Sequence, residues 1–309
     1  MTAVRDFKTE VPGHTDTYRL IYRKSFSQII ATVVTLVLLV GILASIVGNE
    51  NFKWSIVGEY FTAAQITDGI MLTLQLTGIC MVIGTALGIL LALMRISGNR
   101  LLSRVAYVYI WFFRATPLLV QLIFWFNISA LYPVFAFGIP GVGEMWSINT
   151  NAFITPMFAA ILCLSLNEAA YMAEVIRGGF LGVGNGQSEA AKALGMNGFQ
   201  VQRIILPQAT RIIVPPTANQ LITLLKNTSL VSIVGIADLL HSAQLIYSSN
   251  YQTIPLLIVA GIWYLIITSV LSVVQIYLEK HFSKGTRGST PAKRIKRRRP
   301  SGTTSLGRA

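Results

Sequence analysis

Three ionisable residues lie within long apolar stretches of this sequence: Glu168, Glu174 and Lys226. A charge in an apolar layer is costly enough that each is a functional candidate until a partner is found. Glu174 and Arg177 are three residues apart, the spacing of neighbours on one helix face, and an intrahelical ion pair accounts for both. Glu168 lies about 240° around that helix from Glu174 at 100° per residue and shares its face with Tyr171 and Met172. It therefore needs a partner of its own; Lys226 and a contact across a subunit interface are two candidates. Lys226 belongs to a polar run, Asn219, Gln220, Lys226, Asn227, Thr228 and Ser229, that no lipid-facing helix could carry. These side chains are expected to face protein or a water-filled path, with Asn227-Thr228-Ser229 marking an irregular turn.

Covalent chemistry is not indicated. No nucleophile, base and orienting group occur together. Gly182-Val183-Gly184-Asn185-Gly186 lacks the lysine of a phosphate-binding loop. His14, His241 and His281 have no metal-ligand spacing, so no metal site is expected. Cys80 and Cys163 both fall in apolar runs and read as unpaired core residues.

The elements that must position these residues are membrane spans. Of 309 residues, 53% are apolar and 12% charged, against about a quarter charged in soluble domains. A bilayer core of about 30 Å needs roughly 20 helical residues. Six runs meet that length: Phe26 to Val47, Ile70 to Met94, Pro117 to Phe137, Ala152 to Val175, Val214 to Ile236 and Ile254 to Leu278. The first has 22 residues, longer than the 7–15 residues or so of a cleavable signal, and reads as an uncleaved anchor.

Of the 25 Lys and Arg, 22 fall in the amino-terminal segment, in alternate connections and in the carboxyl-terminal tail. Positive residues are retained in the cytoplasm, so both termini are expected there, which six spans require. The net charge of +13 is thus a topology signal rather than a nucleic-acid signal. The cluster Lys293-Arg294-Ile295-Lys296-Arg297-Arg298-Arg299 follows a span and suits attraction to anionic lipid.

Around Arg114 the chain reads as a helix restart, with Thr116 as cap and Pro117 at the first helical position. Arg114 is expected near the cytoplasmic interface, and Leu101 to Phe113 along the membrane surface before it. Between the fourth and fifth runs lies segment 176–213, far longer than the 2–8 residues or so usual between bundle helices. Its alanines and Leu194 favour a short helix, with Ser188 and Glu189 at its start and Gly195 at its end. A second amphipathic turn through Phe199, Val201, Ile204 and Ile205 closes at Leu206-Pro207. Such a helix pair, with Glu189 at its edge, suits docking on a soluble partner.

Glu189-Ala190-Ala191, Gly195 and Ile204-x-Leu206-Pro207 resemble the EAA loop of ABC importer permeases. Further ordered matches point to the polar amino acid branch: Thr73-Leu74-Gln75-Leu76-Thr77, the Arg114 to Gln121 stretch, Leu164 to Gly179, and Lys226-Asn227-Thr228-Ser229-Leu230. The resemblance implies an all-α polytopic fold with five core helices at 69–281, here preceded by one added helix at 26–48. Segments 1–25 and 282–309 are expected to be a cytoplasmic amino-terminal segment and a basic, disordered cytoplasmic tail.

The resemblance further implies that Glu189, Ala190, Ala191, Gly195, Leu206 and Pro207 in loop 178–211 dock an ATPase dimer. That partner would hold ATP and Mg, with no cofactor on this chain. It implies a second permease copy or homologue and an extracytoplasmic amino-acid-binding protein, in a bacterial inner membrane. Asn167, Glu168, Tyr171, Lys226, Asn227 and Thr228 would line the substrate path, where Asn167 and Glu168 meet the ammonium of an amino acid. Arg114, Thr116, Pro117, Glu174 and Arg177 would be structural. The rival from residues alone is a carrier or channel acting without an ATPase, which leaves the long loop without a purpose.

Overall fold

The computed structural model describes residues 4–6, 19–21, 26–139 and 143–282. The chain forms two units, 1–58 and 59–309. In the first, β1 (Val4–Asp6) pairs antiparallel with β2 (Arg19–Ile21), Val4 opposite Ile21. Next comes α1 (Phe26–Gly48), none of whose side chains is buried. A single 3-10 turn, Glu50–Phe52, is capped by Asn49 and leads into α2 (Trp54–Tyr60), within which the boundary between the units falls. The Trp54 indole donates to Ile46 O at 3.2 Å, tying that turn back to the end of α1.

The second unit is built around α7 (Pro156–Gly182). Thr155 accepts from Phe158 N at its start, and Pro156 stands in the first turn, where a missing N–H costs nothing. Its side chains Ala159, Ala160, Ala169, Ala170 and Ala173 are all fully buried. Small residues let neighbouring backbones approach closely, which is how helices pack where lipid supplies no hydrophobic drive. α7 touches α3 (Ala64–Ile96), α4 (Arg100–Ala115), α5 (Leu118–Phe126) and α9 (Gly198–Asn227). Between α5 and α7 the chain forms β3 (Val134–Ile139), β4 (Gly143–Asn149) and the short α6 (Thr150–Phe153). The remaining helices are α8 (Asn185–Ala193), α10 (Leu239–Asn250) and α11 (Thr253–Phe282). The main core joins Leu76 and Cys80 of α3, Leu122 of α5, Cys163 and Leu164 of α7 and Leu224 of α9. Both cysteines are free and buried, as their apolar settings suggest.

Among the described residues four helices are long and apolar enough to cross a membrane: α1, α3, α7 and α11. Two bent pairs bring the number to six if each counts as one span: α4 with α5, bent by 102°, and Gly198–Val234 with α10, bent by 42°. The expected third span, Pro117 to Phe137, is therefore not a continuous helix. α5 ends at Phe126, Asn127 turns its amide back onto Ile123 O at 2.8 Å, and the following apolar residues enter β3. The β-branched and aromatic run Val134 to Phe137 suits a strand, and apolar content alone did not distinguish the two. The all-α expectation thus gains two small hairpins.

The expected start of the fifth span at Val214, just before Pro215-Pro216, also differs. Both prolines, with Pro207, lie inside the single helix α9. Proline breaks a helix by losing one backbone bond, but membrane helices tolerate it when packing and side-chain donors support the turn. The three prolines withhold the backbone bonds to the carbonyls of Arg203, Arg211 and Ile212, while the Gln208 Nε2, Thr210 Oγ1 and Thr217 Oγ1 donors nearby bond the carbonyls of Ile204, Leu206 and Ile213. Ile213 also fills the space over Gly179 of α7. Helix α10 occupies a stretch read from sequence as connection. The basic cluster 293–299, nearly all of tail 282–309 and His14 lie outside the described residues.

Candidate functional site: a polar cavity beneath the α4–α5 break

The 102° bend between α4 and α5 leaves backbone carbonyls at the end of α4 without helical partners. Two buried amides take them up. Gln121 Nε2 donates to Phe113 O at 2.9 Å and to Thr116 O at 3.1 Å, and also to Thr116 Oγ1 at 2.5 Å. Asn167 Nδ2 of α7 donates to the same Phe113 carbonyl at 2.9 Å and to Gln121 Oε1 at 3.1 Å. The Tyr109 hydroxyl adds a second strap, donating to Leu166 O at 2.9 Å.

Thr116 was expected to cap α5. Instead its hydroxyl donates backward to Phe112 O at 2.8 Å, and Pro117 occupies the cap position itself. The structural signal missed in the sequence is Gln121, a polar residue one turn into an apolar helix.

Beneath the break is a cavity of about 380 Å³. The break contributes Arg114, Thr116 and Pro117, and α7 contributes Asn167, Glu168 and Tyr171. From α9 come Gln220, Thr223 and Asn227, spaced to lie on one helix face. Glu168 is 4% exposed, and its Oε1 is buried with no hydrogen-bond partner among the described residues. Among the described residues no ion pair joins it to Lys226, which is exposed. Neither Lys226 nor Thr228 lines the cavity. Thr228 is fully buried and donates to Leu225 O at 2.7 Å, where α9 tightens into the 3-10 turn Thr228–Val234, the irregularity expected there. Arg114 stacks over the Tyr171 ring at 5.3 Å. Glu174 and Arg177 form the expected intrahelical pair at 2.6 Å.

Two further constellations were not read from the sequence. Gly84-Thr85-Ala86-Leu87-Gly88 is a small-xxx-small pattern that brings α3 onto Glu168 and Met172 of α7. Asp238 is fully buried and caps α10, accepting from His241 N at 2.9 Å, while the Tyr264 hydroxyl donates to it at 3.2 Å. An Asp directly before Leu239-Leu240 is the cap signal that would have found it.

At the far end of α9 lies the hairpin it forms with α8. Met196 N reaches Ala191 O and Gly195 N reaches Lys192 O, at 3.1 and 2.9 Å, with Gly195 at φ +75°. This pair of bonds is the Schellman termination. Two residues later Asn197 opens α9 with a reciprocal capping box to Gln200. Glu189, Ala190, Gly195, Leu206 and Pro207 are exposed, while Ala191 is buried. Leu194 is 82% exposed and Phe199 66%, an apolar surface with no cover in the single chain. Helix α9 has 30 residues and so extends about 45 Å from this hairpin to the polar cavity.

Residues 84–284 match the family described as binding-protein-dependent transport system inner membrane component. The chain is 42% identical over 268 residues to the arginine transport system permease protein ArgU of Corynebacterium glutamicum, covering 86% of this chain and 83% of ArgU. It is 39% identical over 224 residues to the nopaline transport system permease protein NocM of Agrobacterium fabrum, covering 71% and 90%. A crystal structure of an amino acid ABC transporter with histidines matches with a TM-score of 0.62 at 33% identity, over 70% of this chain and 94% of that one. An inward-facing MetNI methionine ABC transporter shares the fold, with a TM-score of 0.53 at 21% identity over 71% and 97%.

Proposed function

The chain belongs to the family of binding-protein-dependent transport system inner membrane components, and on that premise we propose that it is the permease subunit of an ATP-driven importer of amino acids bearing a cationic group. The observation that carries the substrate class is Glu168, whose Oε1 is buried without a partner at a polar cavity. A buried carboxyl oxygen left unsatisfied is costly, and an ammonium or guanidinium entering the cavity relieves that cost. The relatives named for arginine, nopaline and octopine transport agree with such a cargo.

The energy source is a separate ATPase dimer seated on the α8–α9 hairpin, around Glu189 and the exposed Leu194. Continuous α9 gives that seat a mechanical connection to Gln220, Thr223 and Asn227 in the cavity. This chain itself binds no ATP or Mg. It works as a dimer with itself or a homologue, receives cargo from an extracytoplasmic binding protein, and keeps both termini in the cytoplasm of a bacterial cell.

Reconstitution tests this reading. The chain, its ATPase and its binding protein in proteoliposomes are expected to accumulate labelled arginine only with ATP on the hairpin side. Accumulation without the ATPase would instead make the chain a carrier. Glu189→Lys, which reverses charge on the docking surface, is expected to abolish copurification of the ATPase.

A further inference from the structure

Beside the cargo cavity is a second hollow of about 400 Å³, between α4 and the ends of α3 and α7. It is lined by Arg95, Tyr107, Trp111, Arg114, Tyr171 and the Glu174–Arg177 pair, among others. Three guanidiniums thus face one carboxylate, and that carboxylate is already gripped by Arg177 through both oxygens at 2.6–3.2 Å. Among the described residues neither Arg95 nor Arg114 has a carboxylate within ion-pairing distance. Arg95 instead lies 5.1 Å over the Tyr107 ring and donates to Ser103 Oγ, while Arg114 lies 5.3 Å over Tyr171. A guanidinium seated over an aromatic ring still has N–H groups for an acceptor, and its planar fork suits a phosphate.

The pattern of α4 indicates where that phosphate comes from. At 100° per residue, Arg100, Arg104, Tyr107, Trp111 and Arg114 fall within about 80° of one another. Ala106, Ile110 and Phe113 are buried on the opposite flank, against the bundle. The third face carries Leu101, Val105, Val108 and Phe112, all at least 49% exposed. A helix with a basic, aromatic stripe beside an uncovered apolar face lies in the headgroup layer of a bilayer. Basic hollows between membrane helices at that depth hold anionic headgroups.

We propose that this hollow binds the headgroup phosphate of an anionic phospholipid, held by Arg95 and Arg114, with the acyl chains along the apolar face of α4. Arg114 and Tyr171 stand between this hollow and the cargo cavity and line both, but the unpartnered group of the cargo cavity is an acid.

Native mass spectrometry of the full chain in detergent, titrated with phosphatidylglycerol or phosphatidylcholine, tests the proposal. Phosphatidylglycerol is expected to bind and phosphatidylcholine to bind far more weakly. The pair Arg95→Gln with Arg114→Gln is expected to weaken phosphatidylglycerol binding on the order of thirtyfold, from about 1 kcal/mol per basic residue. Arg203→Gln, on α9 and outside the lining of the hollow, is expected to leave it unchanged. To separate lost charge from disturbed folding, Arg95→Lys with Arg114→Lys is measured beside the glutamine pair and should bind better than it. Equal binding by the two pairs, no loss in either, or equal affinity for both lipids would overturn the proposal. Full displacement of the lipid by excess inorganic phosphate would assign the hollow to a free anion instead and overturn it too.

Discussion

Gly84 of α3 lies directly against Glu168 of α7: a Cβ placed on Gly84 would stand 2.8 Å from Glu168 Cβ and 2.9 Å from its Cγ. The glycine thus sets where the buried carboxyl points. Gly84→Ala forces α3 away from α7 or turns Glu168 out of the cavity. A loss of roughly 1–3 kcal/mol is expected, as for other overpacked interiors. Gly78→Ala is the control on the same helix, since nothing lies within 4 Å of its Cβ position. Thermal unfolding in detergent should separate the two variants; equal unfolding temperatures would mean that the α3–α7 approach is looser than described.

Glu168→Gln keeps the shape of the side chain and removes its capacity to ionise. Two effects of opposite sign are expected. Affinity of the purified permease–ATPase complex for labelled arginine, measured without the binding protein, should fall roughly tenfold to a hundredfold, the worth of a hydrogen bond to a charged group. Stability without cargo should hold or rise, because a neutral amide replaces an acid whose Oε1 is buried and unpartnered. Weaker binding together with a lower unfolding temperature would indicate a structural acid, not a cargo ligand.

The α4–α5 break depends on Gln121, which is 5% exposed and donates to both Phe113 O and Thr116 O. Gln121→Leu fits the apolar surroundings yet leaves carbonyls without a donor, at a cost of about 1–3 kcal/mol for each one stranded. Phe113 O keeps the Asn167 bond, so the loss falls mainly on Thr116 O. The double variant Gln121→Leu with Asn167→Leu strands both, and its destabilisation should exceed the sum of the single changes. Simple additivity in unfolding measurements would show that the two amides act independently.

What the sequence revealed depended on the length scale of the signal. Long apolar runs and paired charges are local, so α1, α3, α7, α11 and the Glu174–Arg177 pair were legible. The short helix α8 was legible as well, because Gly195 and the alanines act within one turn. The third run failed because apolarity does not distinguish a helix from the strand at Val134. Pro215-Pro216 misled because the packing of Ile213 on Gly179 lies 34 residues apart in the chain. For the cavity, Asn167, Glu168, Tyr171 and Asn227 were anticipated, but Thr223 is an unremarkable residue until α9 is known to run unbroken past it. Gln121 and Asp238 are defined by carbonyls and amides contributed from other elements, which no residue spacing discloses.

Gly195 offers a test of the hairpin that leaves the cavity untouched. Its φ of +75° is left-handed, and nothing lies within 4 Å of its Cβ position. Replacing it therefore meets no steric neighbour and acts only through backbone conformation. Gly195→Ala should cost about 1–2 kcal/mol of the termination geometry, and asparagine, which tolerates that region, should cost less. Because the Schellman bonds from Gly195 and Met196 fix the angle at which α8 leaves α9, the loss is expected in ATPase association. Copurification of the ATPase should decline in the order glycine, asparagine, alanine, while arginine binding by the permease itself stays constant. A permease whose Gly195→Ala variant retains its ATPase in full would have a docking surface that does not depend on this turn.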